Sequence, residues 1–104
     1  MKLAPQDRKH FRTIAHTLSP VVTIAQKGLT ESVFEEIDRA LARHELIKIK
    51  IFAADRDARK ALTDEVCSTV NAEMIQSIGN VVVLFRAAPK PNPKLSNLLR
   101  FQAK

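Results

Sequence analysis

Tryptophan and tyrosine are absent, and cysteine occurs once, at Cys67. A lone cysteine excludes an intrachain disulfide and a cysteine metal cluster. Cys67 falls inside a helical apolar pattern, where a small packed hydrophobe fits better than a nucleophile. The five phenylalanines stand mostly at core-like positions, which leaves few rings for a stacking surface. No apolar run approaches the roughly 20 residues of a membrane span. Met1-Lys2-Leu3-Ala4-Pro5 gives way at once to charged residues. A secretory h-region is therefore not expected, and the cytoplasm is the expected location. There is no Walker loop, no dinucleotide fingerprint and no nucleophile elbow. The three histidines, His10, His16 and His44, have spacings that suit no common zinc site. These absences argue against an enzyme, and neither a cofactor nor a metal is expected.

What is present in excess is positive charge. Seventeen Lys+Arg against eleven Asp+Glu give a formal charge of +6 on 104 residues. That length suits one domain with a modest core. The charge draws the chain toward polyanions such as RNA, DNA or an acidic surface. It comes in blocks: the first helix and the loop near Lys27, the second strand with the start of the third helix, and the C-terminal tail. The stretches between these blocks are net acidic.

The chain reads in order as follows. Pro5 opens a helix over residues 5–18, with Phe11, Ile14, Ala15 and Leu18 at core spacing. Arg8, Arg12 and His16 share another face with Lys9 beside them, which fits either a solvated face or a phosphate-contacting ridge. Ser19-Pro20 ends this helix. Val21–Ile24 has the β-branched character of a short buried strand. A second helix runs from Glu31 to Arg43, its core stripe formed by Val33, Phe34, Ile37, Ala40 and Leu41. Leu46–Ile51 alternates cleanly, with Ile47, Ile49 and Ile51 on one side and Lys48 and Lys50 on the other. Asp55 caps a third helix over about 56–71 that buries Ala58, Ala61, Leu62, Val66 and Val70. Arg56, Arg59 and Lys60 crowd its first turns against the helix dipole, through either a nearby anionic partner or chance. Glu73–Ile78 and Val81–Arg86 flank Gly79-Asn80, a two-residue turn of the II′ kind. Val81–Phe85 is nearly all apolar and suits a central strand. Residues 88–104 form a proline-spaced basic tail. Leu95–Phe101 within it is a candidate for one or two helical turns, open to docking, partner binding or disorder.

The stretch around Gly28 gathers several local signals. Gly28 permits backbone conformations closed to other residues. Thr30 is placed to cap the second helix, with Leu29 and Phe34 at the positions of a hydrophobic staple. A strand-to-helix loop carrying Lys27 and aimed at a helix N-terminus suits an anion.

The element order, α-β-α-β-α-β-β, comes with several motifs. They are Leu18-Ser19-Pro20-Val21-Val22, Gly28-Leu29-Thr30-Glu31, His44-Glu45-Leu46-Ile47-Lys48-Ile49-Lys50, and Ile78-Gly79-Asn80 followed by Val83-Leu84-Phe85-Arg86. Together they closely resemble the CRM domain, the chloroplast RNA splicing and ribosome maturation domain, in its bacterial single-domain, YhbY-like form. The resemblance covers about residues 5–87 and divides the chain into a domain at 1–87 and the tail at 88–104. It implies an α/β two-layer sandwich with a four-stranded mixed sheet, similar to the C-terminal domain of translation initiation factor three. It also implies RNA binding, with precursors of the large ribosomal subunit as the target. The family's Gly-x-x-Gly loop corresponds to Ala25-Gln26-Lys27-Gly28, with Ala25 in place of the first glycine. Alanine is strained there if the position needs a positive φ, and serves if it needs only a small residue.

The binding residues expected on these grounds are Ala25, Gln26, Lys27, Gly28 and Thr30 in the loop. Arg8, Lys9 and Arg12 on the first helix and Lys48 and Lys50 on the second strand extend them. The mechanism expected is electrostatic, by backbone and shape rather than base stacking. The expected partners are ribosomal RNA or a pre-ribosomal particle, with ribosomal proteins as further contacts, for a monomer with no membrane partner. The alternative is a protein-interaction module using the acidic second helix or the tail. DNA recognition is disfavoured, since the second helix is acidic where a recognition helix would be basic.

Overall fold

The computed structural model describes residues 4–25 and 28–100. Four helices and four strands follow in the order α1 (Pro5–Ala15), β1 (Pro20–Ile24), α2 (Glu31–His44), β2 (Leu46–Ile51), α3 (Arg56–Val70), β3 (Glu73–Ile78), β4 (Val81–Phe85) and α4 (Asn97–Arg100). The α/β fold and the mixed four-stranded sheet are those that the family resemblance implies. The sheet order is β1-β2-β4-β3. β1 pairs in parallel with β2, and β4 pairs antiparallel with both β2 and β3. β4 is thus central, which accounts for its apolar run.

Parallel strands need a crossover, and crossovers in one sheet are right-handed. β1 to β2 through α2 and β2 to β3 through α3 both move across the sheet in one direction. Both helices therefore cover the same face. Val22, Ile24, Ile47, Ile49, Ile51, Val82 and Leu84 point into that core and meet Ile37, Leu41, Val66 and Val70 from the helices. Ile47, Ile49 and Ile51 are essentially fully buried, each contributing about 1.5–3 kcal/mol relative to an exposed side chain. α1 precedes the first strand and is free of this constraint. It packs on the opposite face, where Ile14 and Ala15 join Leu46, Ile75, Val83 and Phe85.

Caps behave as their residues predict. Thr30 Oγ1 accepts from Val33 N–H at 3.2 Å, and Asp55 Oδ1 accepts from Ala58 N–H at 2.8 Å. Gly79 has φ +56 while Asn80 does not share the positive φ, as a II′ turn requires. Several details depart from the expected boundaries and burial, among them β1, an edge strand whose Val21 is 50% exposed rather than buried. α1 ends at Ala15, and Leu18 reaches the core from the turn that follows it. Ala61 is exposed rather than buried. A register shift between Met74 and Gln76 puts a bulge in β3. The bulge turns Ile75 into the α1 core while Gln76 also lies on that side.

The described part of the tail folds back on the body. α2 and β2 are joined by one residue, Glu45, whose φ is 61° and ψ −46°. Its buried carboxylate accepts from Ala88 N–H at 2.8 Å and from the Ser96 hydroxyl at 2.7 Å. Asn97 Nδ2 donates to Leu46 O at 2.6 Å, and His44 Nδ1 donates to Leu95 O at 2.8 Å. Leu98 packs against the α1 core.

Candidate nucleic-acid interface

The fully buried Ile24 ends β1 and fixes where the following loop leaves the sheet. Gly28 N–H donates to Ala25 O at 2.9 Å, closing a tight turn. Gly28 has φ +81, and a Cβ placed there would meet nothing within 4 Å. Glycine is needed for its backbone conformation and not for space. Glu45 and Asn71 are the non-glycine positions with positive φ among the described residues. Ala25 is not one of them, so its methyl group introduces no left-handed backbone strain. Gln26 and Lys27 lie outside the described residues. Leu29 and Phe34, the predicted staple pair, both pack against the α2–α3 core. The N–H groups of Glu31 and Ser32 lie in the first turn, outside the helix ladder. The Glu31 carboxylate beside them offsets part of the dipole's attraction for an anion.

Parallel β1 and β2 bring their C-terminal ends to one edge of the sheet. Phe52 N–H donates to Ile24 O at 2.9 Å, and Ile51 N–H donates to Asn80 O at 2.7 Å. The β1–α2 loop, the segment before α3 and the Gly79-Asn80 turn therefore share one end. This is the end at which open α/β sheets form ligand crevices. A groove of about 540 Å³ runs there between Ala25, Gly28 and Phe52 on one side and Ala58, Ala61 and Leu62 of α3 on the other. The exposure of Ala61 follows from its place on this groove. A second concavity, of about 300 Å³, is bordered by Arg56, Arg59 and Lys60 facing Met74, Ser77 and Gly79. Arg59 reaches Asn80 Oδ1 at 3.4 Å, and Lys60 pairs with Asp64 at 3.1 Å. These three cations were not among the expected binding residues. Their signal in the sequence is a cluster of positive charge set against a helix dipole.

Lys48 and Lys50 lie on the sheet face that carries α1. Lys48 Nζ donates to Leu18 O at 3.1 Å, and Lys50 Nζ stands 5.2 Å from the centre of the Phe52 ring. Thr23 of β1 is the register partner of Lys50, so the lysine row runs up beside the strand that ends at the Gly28 turn. Arg8 is engaged internally: Nη1 donates to Met74 O at 3.0 Å and Nη2 lies 3.3 Å from the Glu73 carboxylate. Lys9 is exposed and Arg12 half-buried. Among the described residues, ion pairs engage Arg8, Lys60 and Arg86, and none engages Lys9, Arg12, Lys48 or Lys50. Glu73, which holds Arg8, begins β3 at the end of the sheet opposite the Gly79 turn. The expected residues among those described thus form two patches, α1 and the end that holds Ala25, Gly28 and Thr30, with Lys48 and Lys50 between them.

The remaining reactive group is silent. Burial first, then the charges of Asp64 and Glu73, push the Cys67 thiol up to about 11, so it stays protonated near neutrality. No cluster of three or more metal-ligating side chains occurs among the described residues. No described helix is long and apolar enough to cross a membrane.

These features define a small, basic α/β domain with unpaired cations along one sheet face and concavities around one sheet end. The chain belongs to the CRS1/YhbY (CRM) domain family, whose model matches residues 3–86. It is 48% identical over 101 residues to a Pseudomonas aeruginosa protein named a probable RNA-binding protein, covering 97% of each chain. It is 36% identical to an RNA-binding protein of Haemophilus influenzae, covering 89% of this chain and 94% of that one. Its fold is similar to the solution structure of a Staphylococcus aureus protein, with a TM-score of 0.76 and 26% identity. That match covers 91% of this chain and 98% of the other.

Proposed function

We propose that the chain binds RNA, and that its target is ribosomal RNA of a large-subunit precursor during assembly of the particle. The names of its relatives support RNA as the ligand. The observation that carries the reading is the row of unpaired cations, Lys48 and Lys50, leading to the Gly28 turn. Phosphates lie along this row and in the loop of Ala25, Gln26, Lys27, Gly28 and Thr30, with Lys9 and Arg12 extending the contact over α1. Arg8 serves chiefly to hold α1 on β3 so that its neighbours face the ligand. The chemistry is ionic and non-covalent, and the RNA is recognised by its backbone and shape.

The test is a competition at moderate salt between a structured fragment of large-subunit RNA and duplex DNA of equal length. Preference for the RNA is the expected outcome; equal affinity reduces the reading to attraction for any polyanion. Lys27→Glu is expected to weaken RNA binding at least tenfold with an unchanged melting temperature. Unchanged affinity would remove the loop from the interface and leave the sheet face and α1.

A further inference from the structure

On the α1-bearing face, open space remains beyond the end of α1. Between the end of α1 and the strands lies a concavity of about 220 Å³ whose lining includes His16, Lys48, Gln76, Ile78, Val81 and Val83. This is below the roughly 300 Å³ at which whole-ligand pockets begin, and it is the scale of one planar ring. Its floor is aliphatic and its rim is polar. No carboxylate lines it.

Two observations fit a ligand in this hollow. Ile78, on its border, is 60% exposed, and Val81 beside it is half-buried. A planar ring seated here covers apolar area that water otherwise meets. The polar groups at the rim are also uncommitted. Neither the Gln76 amide nor the His16 ring makes a hydrogen bond to another described residue. Lys48, although bonded to Leu18 O, has no ionic partner among the described residues. The β3 bulge is what brings Gln76 to this side beside Ile75.

We propose that this concavity receives one unpaired nucleobase of the bound RNA. The base lies against Val81, Val83 and Ile78. The Gln76 amide, which carries both donors and an acceptor, reads its edge. Lys48 and Lys50 hold the flanking phosphates. The inference rests on the RNA-binding reading above and adds to it a contact with a base, where that reading has backbone contacts alone. Positive charge without a facing carboxylate favours a nucleic acid over a protein side chain as occupant.

The experiment compares a short single-stranded oligoribonucleotide with the same strand carrying one abasic position, stepped along its length. The wild-type chain is expected to bind about tenfold more weakly when the abasic position falls at the seated base. Gln76→Ala combined with Ile78→Ser is expected to abolish that difference while keeping salt-dependent binding of both strands. Ile78 is exposed, so the variant should keep its melting temperature; Gln76→Ala alone, expected to lose part of the difference, is the second arm. A wild-type protein that binds RNA but ignores the abasic position overturns the pocket and leaves the backbone reading standing. Retained discrimination in a folded double variant also overturns it. Failure of the wild type to bind any RNA overturns the proposed function itself.

Discussion

Gly28 and Cys67 show how much a single residue carries in this fold. At Gly28 a Cβ would find open space, yet φ is +81. The substitution Gly28→Ala therefore meets a conformational penalty and no clash, about 1–2 kcal/mol for a side chain forced into the left-handed region. A urea melt should show that loss. Gly28→Asn should recover part of it, because asparagine tolerates this region better than alanine. Equal stability of the wild type and the alanine variant would mean that the loop relaxes to negative φ. Cys67 gives a pH signature. Its thiol is raised in the folded chain to about 11, so the folded state holds a proton that the unfolded state loses sooner. The stability linked to it is complete below the ordinary thiol range and is lost as pH rises through about 11. Cys67→Ala should remove this component from an alkaline melting series. In the wild type, reaction with a thiol reagent near pH 8 should be slow until the protein is unfolded. A fast reaction in the native state would contradict the protonated, half-buried thiol.

Elements are where the sequence was most legible and also where it fell short. Local patterns set the strands and caps: the Ile47, Ile49, Ile51 alternation, Thr30 and Asp55 before their helices, and glycine first in the Gly79-Asn80 turn. These signals are local, and each residue's own chemistry is sufficient. The side of the sheet taken by α1 depends on chain entry and not on periodicity, so the spacing of Phe11, Ile14 and Ala15 could not reveal it. The β3 bulge is a misfit between two strands and has no mark in either one. The engagement of Arg8 by Glu73 and Met74 joins residues far apart in the chain, and its i, i+4 relation to Arg12 gave no sign of it. Arg86 is a further case. Its guanidinium donates to Asp38 Oδ1 at 2.7 Å, Asp38 O at 3.0 Å and Val70 O at 2.9 Å, tying the end of β4 to both α2 and α3. Arg86→Met should cost about 2–3 kcal/mol, the scale of lost hydrogen bonds to a charged group. Arg86→Lys should restore little of it, since an ammonium lacks the planar fork. Both are read from denaturant midpoints. An Arg86→Lys variant as stable as the wild type would show that charge alone holds this junction.

At the scale of the whole molecule, the question is whether the charge of +6 acts as a diffuse cloud or as a face. The fold turns the blocks of the sequence into directions. Lys48 and Lys50 lie on the α1 side, while α2 covers the other side of the sheet and exposes Glu35, Glu36 and Asp38 together with Arg39. A diffuse cloud makes every surface cation equivalent, so removing any one weakens RNA binding to the same small degree. A face makes position decisive. Each phosphate neutralised steepens the fall of log K with log salt by roughly 0.7–0.9. Lys50→Gln should therefore lower the magnitude of the slope by about that amount. Arg39→Gln, equal in charge change but on the α2 side, should leave it unaltered. Neither side chain is buried, and melting temperatures of the two variants should match that of the wild type. The measurement is a salt titration of RNA affinity for all three proteins under one set of conditions. Equal slope changes for the two variants would return the molecule to a generic polycation. A change confined to Lys50→Gln would mean that the sheet face carrying Lys48 and Lys50 is the surface through which this chain meets RNA.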